Sequence, residues 1–187
     1  ENLPMIVPTG MSTEDEIKES VALLRRYGAP YALLQVQSTY PAPFKDLNLR
    51  YMQRLAEIGD CPVGYSGHER GYHIPMAAVA LGASVIEKHF TIDRNLEGND
   101  HKVSLLPDEF AAMVRQIRDV EASLGTAAAR VVAPGEFTNR ANLAKSLVAA
   151  RDIQSREPLT ADAVAITRPG RGPQPTSPAN PRRPIAP

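Results

Sequence analysis

The sequence predicts an α/β fold in which a parallel sheet carries helices packed outside it. Three observations predict this. Strand-like and helix-like segments alternate four times over residues 1–125, the connections are short, and the polar residues best suited to chemistry fall just past the strand-like segments. Parallel α/β sheets place their reactive groups at that position, beyond the carboxyl ends of the strands.

The first strand is Met5 to Val7, ended by Pro8-Thr9-Gly10. Its helix opens at Thr13 with Glu16 three residues on, the capping-box spacing, and continues through Ile17, Val21 and Leu24 to a stop at Tyr27-Gly28. The second strand is Tyr31 to Val36; a loop carrying Ser38 to Asp46 follows, then a helix marked by Leu49, Met52 and Leu55. The third strand, Pro62 to Tyr65, runs into Ser66-Gly67-His68 and a small-residue helix around Pro75 to Leu81. The fourth strand is Ser84 to His89. Its helix starts at Pro107-Asp108-Glu109, carries the stripe Phe110, Met113, Val114, Ile117, Val120 and Leu124, and stops at Gly125. Proline at the first helical position and glycine just past the last follow the usual asymmetry of helix ends.

Four such units fit either part of a doubly wound sheet or half of an eight-fold barrel, and the pattern alone leaves both open. A complete barrel takes about 250 residues, and the four units use roughly 125. Periodicity fades over 126–145, which is read as a linker. Beyond it Ser146 to Ile153 looks like a strand, Leu159 to Val164 a helical turn and Ala165 to Arg168 a second strand. From Pro169 onward 7 of 19 residues are proline, so 173–187 is expected to be an extended or disordered tail.

Bulk composition excludes several classes. The 187 residues carry 21 basic and 21 acidic side chains, without the basic excess expected of a nucleic-acid binder. No apolar stretch approaches the ~20 residues of a membrane span. The single cysteine, Cys61, excludes a disulfide within the chain and points to a reducing, cytoplasmic setting. The chain opens on Glu1-Asn2-Leu3-Pro4, without a starting methionine or signal peptide, and is expected to be cut from a longer polypeptide.

Thr9 follows strand one, Ser38 and Tyr40 strand two, Ser66 and His68 strand three; His89 ends strand four, and Asp100 and His101 lie in the loop after it. All are expected to face one rim. Because His68 and His89 end neighbouring strands, their imidazoles could converge on one divalent metal. Alternation puts Val85, Glu87 and His89 on one face of the fourth strand, with Glu87 placed to orient a ligand, and Ile86, Lys88 and Phe90 on the other. Taken alone, two histidines of this spacing are more often hydrogen-bonded rim residues than ligands, and the spacing is no zinc motif. The rim hydroxyls suit phosphate or sugar oxygens, although Ser and Thr are also ordinary turn residues. Lys88 and Arg94 could serve an anion, with a solvated charge the simpler reading for Arg94, and Arg118, Asp119 and Glu121 read as a solvated helix face.

Taken together these residues resemble a family. The run Val63-Gly64-Tyr65-Ser66-Gly67-His68-Glu69, then Ala77 to Ala83, then Ile86-Glu87-Lys88-His89-Phe90-Thr91 and Asp93-Arg94 is similar to the sialic acid synthases. Gly98, Asp100-His101, Ser104-Leu105 and Pro107 continue the likeness, as do Thr9-Gly10-Met11 and Ser38-Thr39-Tyr40-Pro41-Ala42-Pro43 upstream. Downstream, Ser146-Leu147-Val148-Ala149, Asp152-Ile153 and Arg168-Pro169-Gly170 resemble the opening of the antifreeze-like (SAF) domain that follows the barrel in that family.

The resemblance implies that 1–125 is the second half of a TIM (β/α)₈ barrel and 146–172 a partial SAF domain. It implies a transferase that joins C3 of phosphoenolpyruvate to the aldehyde of an open-chain N-acylated hexosamine, releasing phosphate and giving a nine-carbon 2-keto acid. His68 and His89 would bind a divalent metal, manganese by analogy, with magnesium or cobalt as substitutes, and the metal would polarise the aldehyde. Ser66 matches a phosphate-contacting serine, Ser38 and Tyr40 match the pocket lining, and Asp100 matches an acidic residue close to metal and sugar. Thr9 and Glu87 belong to the same substrate-binding set. Arg168 matches an arginine that the SAF domain inserts into a partner's active site, which implies a domain-swapped homodimer. Pro8 stands where many members carry Ser, and the first four βα units are absent, so the chain alone is expected to be inactive. Two further readings are a related deoxy-sugar-acid synthase, which Arg168 disfavours, and a non-catalytic half-barrel that dimerises or binds a metabolite.

Overall fold

A computed structural model describes residues 3–169, 171–176 and 180–181. Two compact units divide the chain after Thr126.

The first unit alternates strand and helix in chain order. Strands β1 (Met5–Pro8), β2 (Tyr31–Val36), β3 (Val63–Gly67) and β4 (Val85–Lys88) form a curled parallel sheet in the order β1-β2-β3-β4. Helices α1 (Glu14–Arg26), α2 (Tyr51–Gly59) and α3 (His73–Ala80) connect them, and α4 (Pro107–Leu124) follows β4. Each strand therefore pairs with its sequence neighbour. The register places Val36 beside Ser66, and Ser66 beside Glu87.

Local signals fix the elements. The Thr13 hydroxyl accepts the Glu16 N–H at 3.4 Å, and the Glu16 carboxylate accepts the Thr13 N–H at 2.7 Å, closing the predicted capping box on α1. At α4, Pro107 takes the first helical position and Glu109 accepts the Leu106 N–H at 2.8 Å. On the outer face of the sheet Ile17, Val21, Leu33, Met52, Leu55, Val63, Tyr65 and Ala78 make the main core. A second cluster joins Val79, Leu105, Met113 and Ile117, with Phe110 and Val120 packed against it. Of the stripe read on α4, Val114 and Leu124 are left exposed.

Beyond β4, the Leu105 N–H donates to the His89 carbonyl at 2.8 Å and the Thr91 N–H to the Leu105 carbonyl at 2.9 Å. This short parallel contact, centred on Phe90 and Leu105, holds the chain leaving β4. Several boundaries differ from those read in the sequence. Strand β3 extends to Gly67, because parallel pairing with Lys88 continues past the apolar residues. Helix α3 begins at His73, ahead of Pro75.

The second unit contains α5 (Pro134–Leu143) and an antiparallel pair, β5 (Ser146–Ala149) and β6 (Val164–Thr167). The stretch read as a linker thus carries a helix. The strand read over Ser146 to Ile153 stops at Ala149, and turns replace the helical turn read before β6. Within the proline-rich tail, the Pro173 carbonyl accepts the Leu147 N–H at 2.8 Å and the Pro175 carbonyl accepts the Asn180 amide at 2.6 Å. Residues 177–179 and 182–187 of that tail lie outside the described residues.

Candidate functional site

The inner face of the sheet carries a hollow of about 280 Å³ at the carboxyl ends of the four strands. Pleating decides what lines it. Alternate residues of each strand share a face, so Val36 and Ser38, Ser66 and His68, and Glu87 and His89 all project into it. Leu33, Tyr65 and Ile86, one residue out of phase, pack against the helices instead.

His68 is buried and held on three sides. Its Nδ1 lies 2.9 Å from the Gln37 carbonyl oxygen. A carbonyl can only accept, so Nδ1 carries the proton and Nε2 presents a lone pair. The Tyr40 hydroxyl donates toward that Nε2 at 3.4 Å, and the Tyr40 ring stacks on the imidazole with centroids 4.3 Å apart. Desolvation, the largest effect, holds the His68 pKa below its ordinary value and so favours the neutral ring. The loop after β2 is pinned in turn, by the Ala42 N–H on the His68 carbonyl at 3.1 Å and the Gln35 amide on the Leu47 carbonyl at 3.0 Å.

His89 faces His68 edge-on, with ring centroids 5.0 Å apart and planes at 76°. Tyr40 meets it edge-to-face at 5.6 Å, so the three rings form one cluster. Beside them Ser66 donates to Glu87 at 2.7 Å. Glu87 therefore engages the serine, and its carboxylate faces the hollow with an acceptor oxygen to spare.

The donor set fits part of a metal's coordination sphere. A neutral imidazole whose Nδ1–H is fixed on a carbonyl is the arrangement that presents Nε2 to a cation, which would take the lone pair from the Tyr40 hydroxyl. Among the described residues no group of three or more His, Cys, Asp or Glu gathers to hold a metal. His68 and His89 thus offer two ligands, and substrate or water would have to supply others.

The structure brings together Ser38, Tyr40, Ser66, His68, Glu87 and His89. It does not bring Thr9 or Asp100 into the hollow. The Thr9 hydroxyl is buried and donates to the Leu34 carbonyl at 2.9 Å, tying β1 to β2, because position 9 is out of phase with Pro8 and Gly10 on the inner face. Asp100 is exposed on a short 3₁₀ turn, where its carbonyl accepts the Ser104 hydroxyl at 2.7 Å. His101 pairs with the Thr91 hydroxyl at 2.7 Å. Arg94 is half-buried, bonded to the Ser104 carbonyl and the Glu109 carboxylate. Arg168 belongs to the second unit, after β6. Lys88, weighed as an anion ligand, is fully buried on the opposite face against Glu69. Gln37 gives no signal in the sequence, because its contribution is a backbone carbonyl that no side-chain motif announces.

Comparison with known proteins shows the family. The model of the NeuB family matches residues 1–129. The chain belongs to the NeuB family. It is 42% identical over 174 residues to the N,N'-diacetyllegionaminic acid synthase of Campylobacter jejuni, covering 91% of this chain and 52% of that one. With the N-acetylneuraminate-9-phosphate synthase of Mus musculus it shares 38% identity over 164 residues, 87% of this chain and 45% of the relative. Among solved structures, the sialic acid synthetase of Leptospira borgpetersenii in complex with citrate superposes with a TM-score of 0.67 at 35% identity, over 74% of this chain and 48% of that one. The chain thus spans about half the length of the NeuB-family relatives it matches.

Proposed function

We propose that this chain contributes the metal-binding and sugar-facing half of a synthase that condenses phosphoenolpyruvate with an N-acylated hexosamine to a sialic acid-type nonulosonic acid. In that reaction C3 of phosphoenolpyruvate bonds to the aldehyde carbon, the aldehyde oxygen takes a proton, one water is consumed and phosphate leaves. The observation that carries the reading is the cluster of Tyr40, His68 and His89 at the strand ends of a NeuB-family sheet. The relatives named as legionaminic and neuraminic acid synthases support the substrate class.

His68 and His89 would hold the divalent cation, manganese in first place, which supplies Lewis-acid polarisation of the aldehyde. Tyr40 fixes the His68 ring and closes one wall of the hollow. Ser38, Ser66 and Glu87 present hydroxyl and carboxylate oxygens suited to phosphate and sugar hydroxyls. We assign the second unit to a SAF-type domain whose Arg168 reaches the N-acyl end of the sugar in a partner subunit. The single free Cys61 suits a reducing cytoplasm.

The test is a chimera joining the first half of the Campylobacter relative to this chain. Phosphate release that needs both the N-acylated sugar and Mn²⁺ is expected there, and none from the 187 residues alone. His89→Ala should lower it at least 100-fold, on the order of the loss of a catalytic electrostatic partner. A folded chimera with full activity after His89→Ala would remove the metal reading. Arg168→Ala should raise the KM for the sugar more than that for phosphoenolpyruvate; equal effects would count against its assignment.

A further inference from the structure

Directly behind the two histidines, on the helix-facing side of the sheet, lies a buried charged cluster that the proposed reaction does not use. Lys88 and Glu69 both have fully buried side chains, with Nζ 2.9 Å from Oε1. Lys88 also donates to the Glu69 carbonyl, and the Tyr65 hydroxyl donates to the other carboxylate oxygen at 2.6 Å. Each charged member is the chain neighbour of an imidazole: Glu69 follows His68, and Lys88 precedes His89.

Three features indicate that the cluster is built into the site. The register sets Gly67 beside Lys88. A Cβ on Gly67 would lie 2.8 and 2.9 Å from the two Glu69 carboxylate oxygens, so the absent side chain makes the space that the carboxylate fills. Lys88 grips Glu69 through both backbone and side chain, so the bond spans the ends of β3 and β4 and closes no local turn. Finally, burying two charges requires full pairing to be tolerated, and such pairs often add little net stability over an apolar replacement. A role in geometric specification accounts for keeping this one.

We propose that Tyr65, Glu69 and Lys88 form a positioning clamp that fixes the separation and facing of the His68 and His89 imidazoles. The clamp acts through the backbone: it ties residue 69 to residue 88, and pleating turns the neighbouring side chains, 68 and 89, together into the hollow. Its consequence for cation binding rests on the reading of these imidazoles as ligands. The clamp touches neither substrate nor cation, so its members are positioning residues.

The experiment compares the wild-type chain with Glu69→Gln/Lys88→Met, which removes both charges and keeps approximate volume. Two readouts are taken: the ring-proton NOE between His68 and His89, and Mn²⁺ affinity by EPR titration of the metal alone. The expected result is a folded variant in which the NOE is lost and Mn²⁺ affinity falls about 10–100-fold, the usual range when groups supporting a ligand are removed. Lys88→Arg alone, which keeps a cation opposite Glu69, should leave both near wild type, whereas Val79→Ala, a core change in the second cluster, should lower stability and move neither. An unchanged NOE and affinity in the folded double variant overturns the clamp. If the wild type binds no Mn²⁺ while the NOE is still lost in the variant, the clamp stands and the metal reading falls. Should the double variant not fold, Tyr65→Phe decides, since it keeps both charges and removes one bond: an NOE and affinity equal to wild type overturn the proposal.

Discussion

Gly67 lies between Ser66 and His68 at the end of β3, where a methyl group would meet the Glu69 carboxylate oxygens at 2.8 and 2.9 Å and the Tyr65 ring at 3.1 Å. Its φ is not positive, so alanine meets no backbone obstacle there and any cost is crowding alone. Gly67→Ala is therefore expected to destabilise the chain by about 1–3 kcal/mol in urea unfolding, as overpacking of a filled interior does. A loss below about 0.5 kcal/mol, the range of an ordinary surface change, would show that the carboxylate can move aside freely. The same neighbourhood shows what the sequence disclosed. Alternation along β4 was enough to put Glu87 and His89 on one face and Lys88 on the other. Pairing Lys88 with Glu69, 19 positions away, needed the β3–β4 register, which no local pattern reports. The orientation of Thr9 has a related cause. Position along the chain put it after a strand, but the pleat turned its hydroxyl to the Leu34 carbonyl.

At the level of elements, helices α1 and α2 are joined by a carboxylate. Glu14 accepts Arg54 through both oxygens, at 2.8 and 3.1 Å, and pairs with Lys18 one turn on at 2.9 Å. The Arg54 hydrogen bonds, followed by those of Lys18, lower its pKa from 4.5 to about 2. A carboxylate with a depressed folded-state pKa adds stability above its unfolded value and loses it as pH falls through the folded one. The contribution should therefore be complete above about pH 5 and fade between pH 4.5 and 2. Arg54→Gln should lower the unfolding midpoint at pH 7, with the difference from wild type vanishing near pH 2. Because these groups are exposed, high salt should also shrink it. A difference independent of pH would assign the effect to packing of the arginine stem. Not every element was equally legible. Strand β2 is legible to the residue because Leu33 to Val36 are buried on both faces and its ends are marked by Pro30 and the polar run after Val36. Helix α5 is not legible in the sequence because it buries none of its residues and has no apolar stripe. The signals present were local: Pro134 at the first position, and Glu136 accepting the Ala133 N–H at 3.1 Å.

On the scale of the whole molecule, every residue of the hollow and of the clamp falls within the first unit, while Arg168 falls in the second. Among the described residues no helix is long and apolar enough to cross a membrane. The segment between α4 and α5 contains the boundary, and its Arg130 side chain is 81% exposed and paired with Glu136 at the surface. Proteases cut where backbone opens locally without unfolding a core, so brief trypsin treatment should cleave first after Arg130. The products expected by mass spectrometry are 1–130 and 131–187, with the latter cut further at its own exposed arginines. Since β1 to β4 and α1 to α4 all lie in the first product, it should keep the His68–His89 NOE after separation. Early cuts within 14–124 would instead mean that the sheet and its helices open more easily than the junction. Clean cleavage at Arg130 followed by loss of the NOE would mean that the second unit supports the histidines, and the hollow could then no longer be treated as the property of the sheet alone.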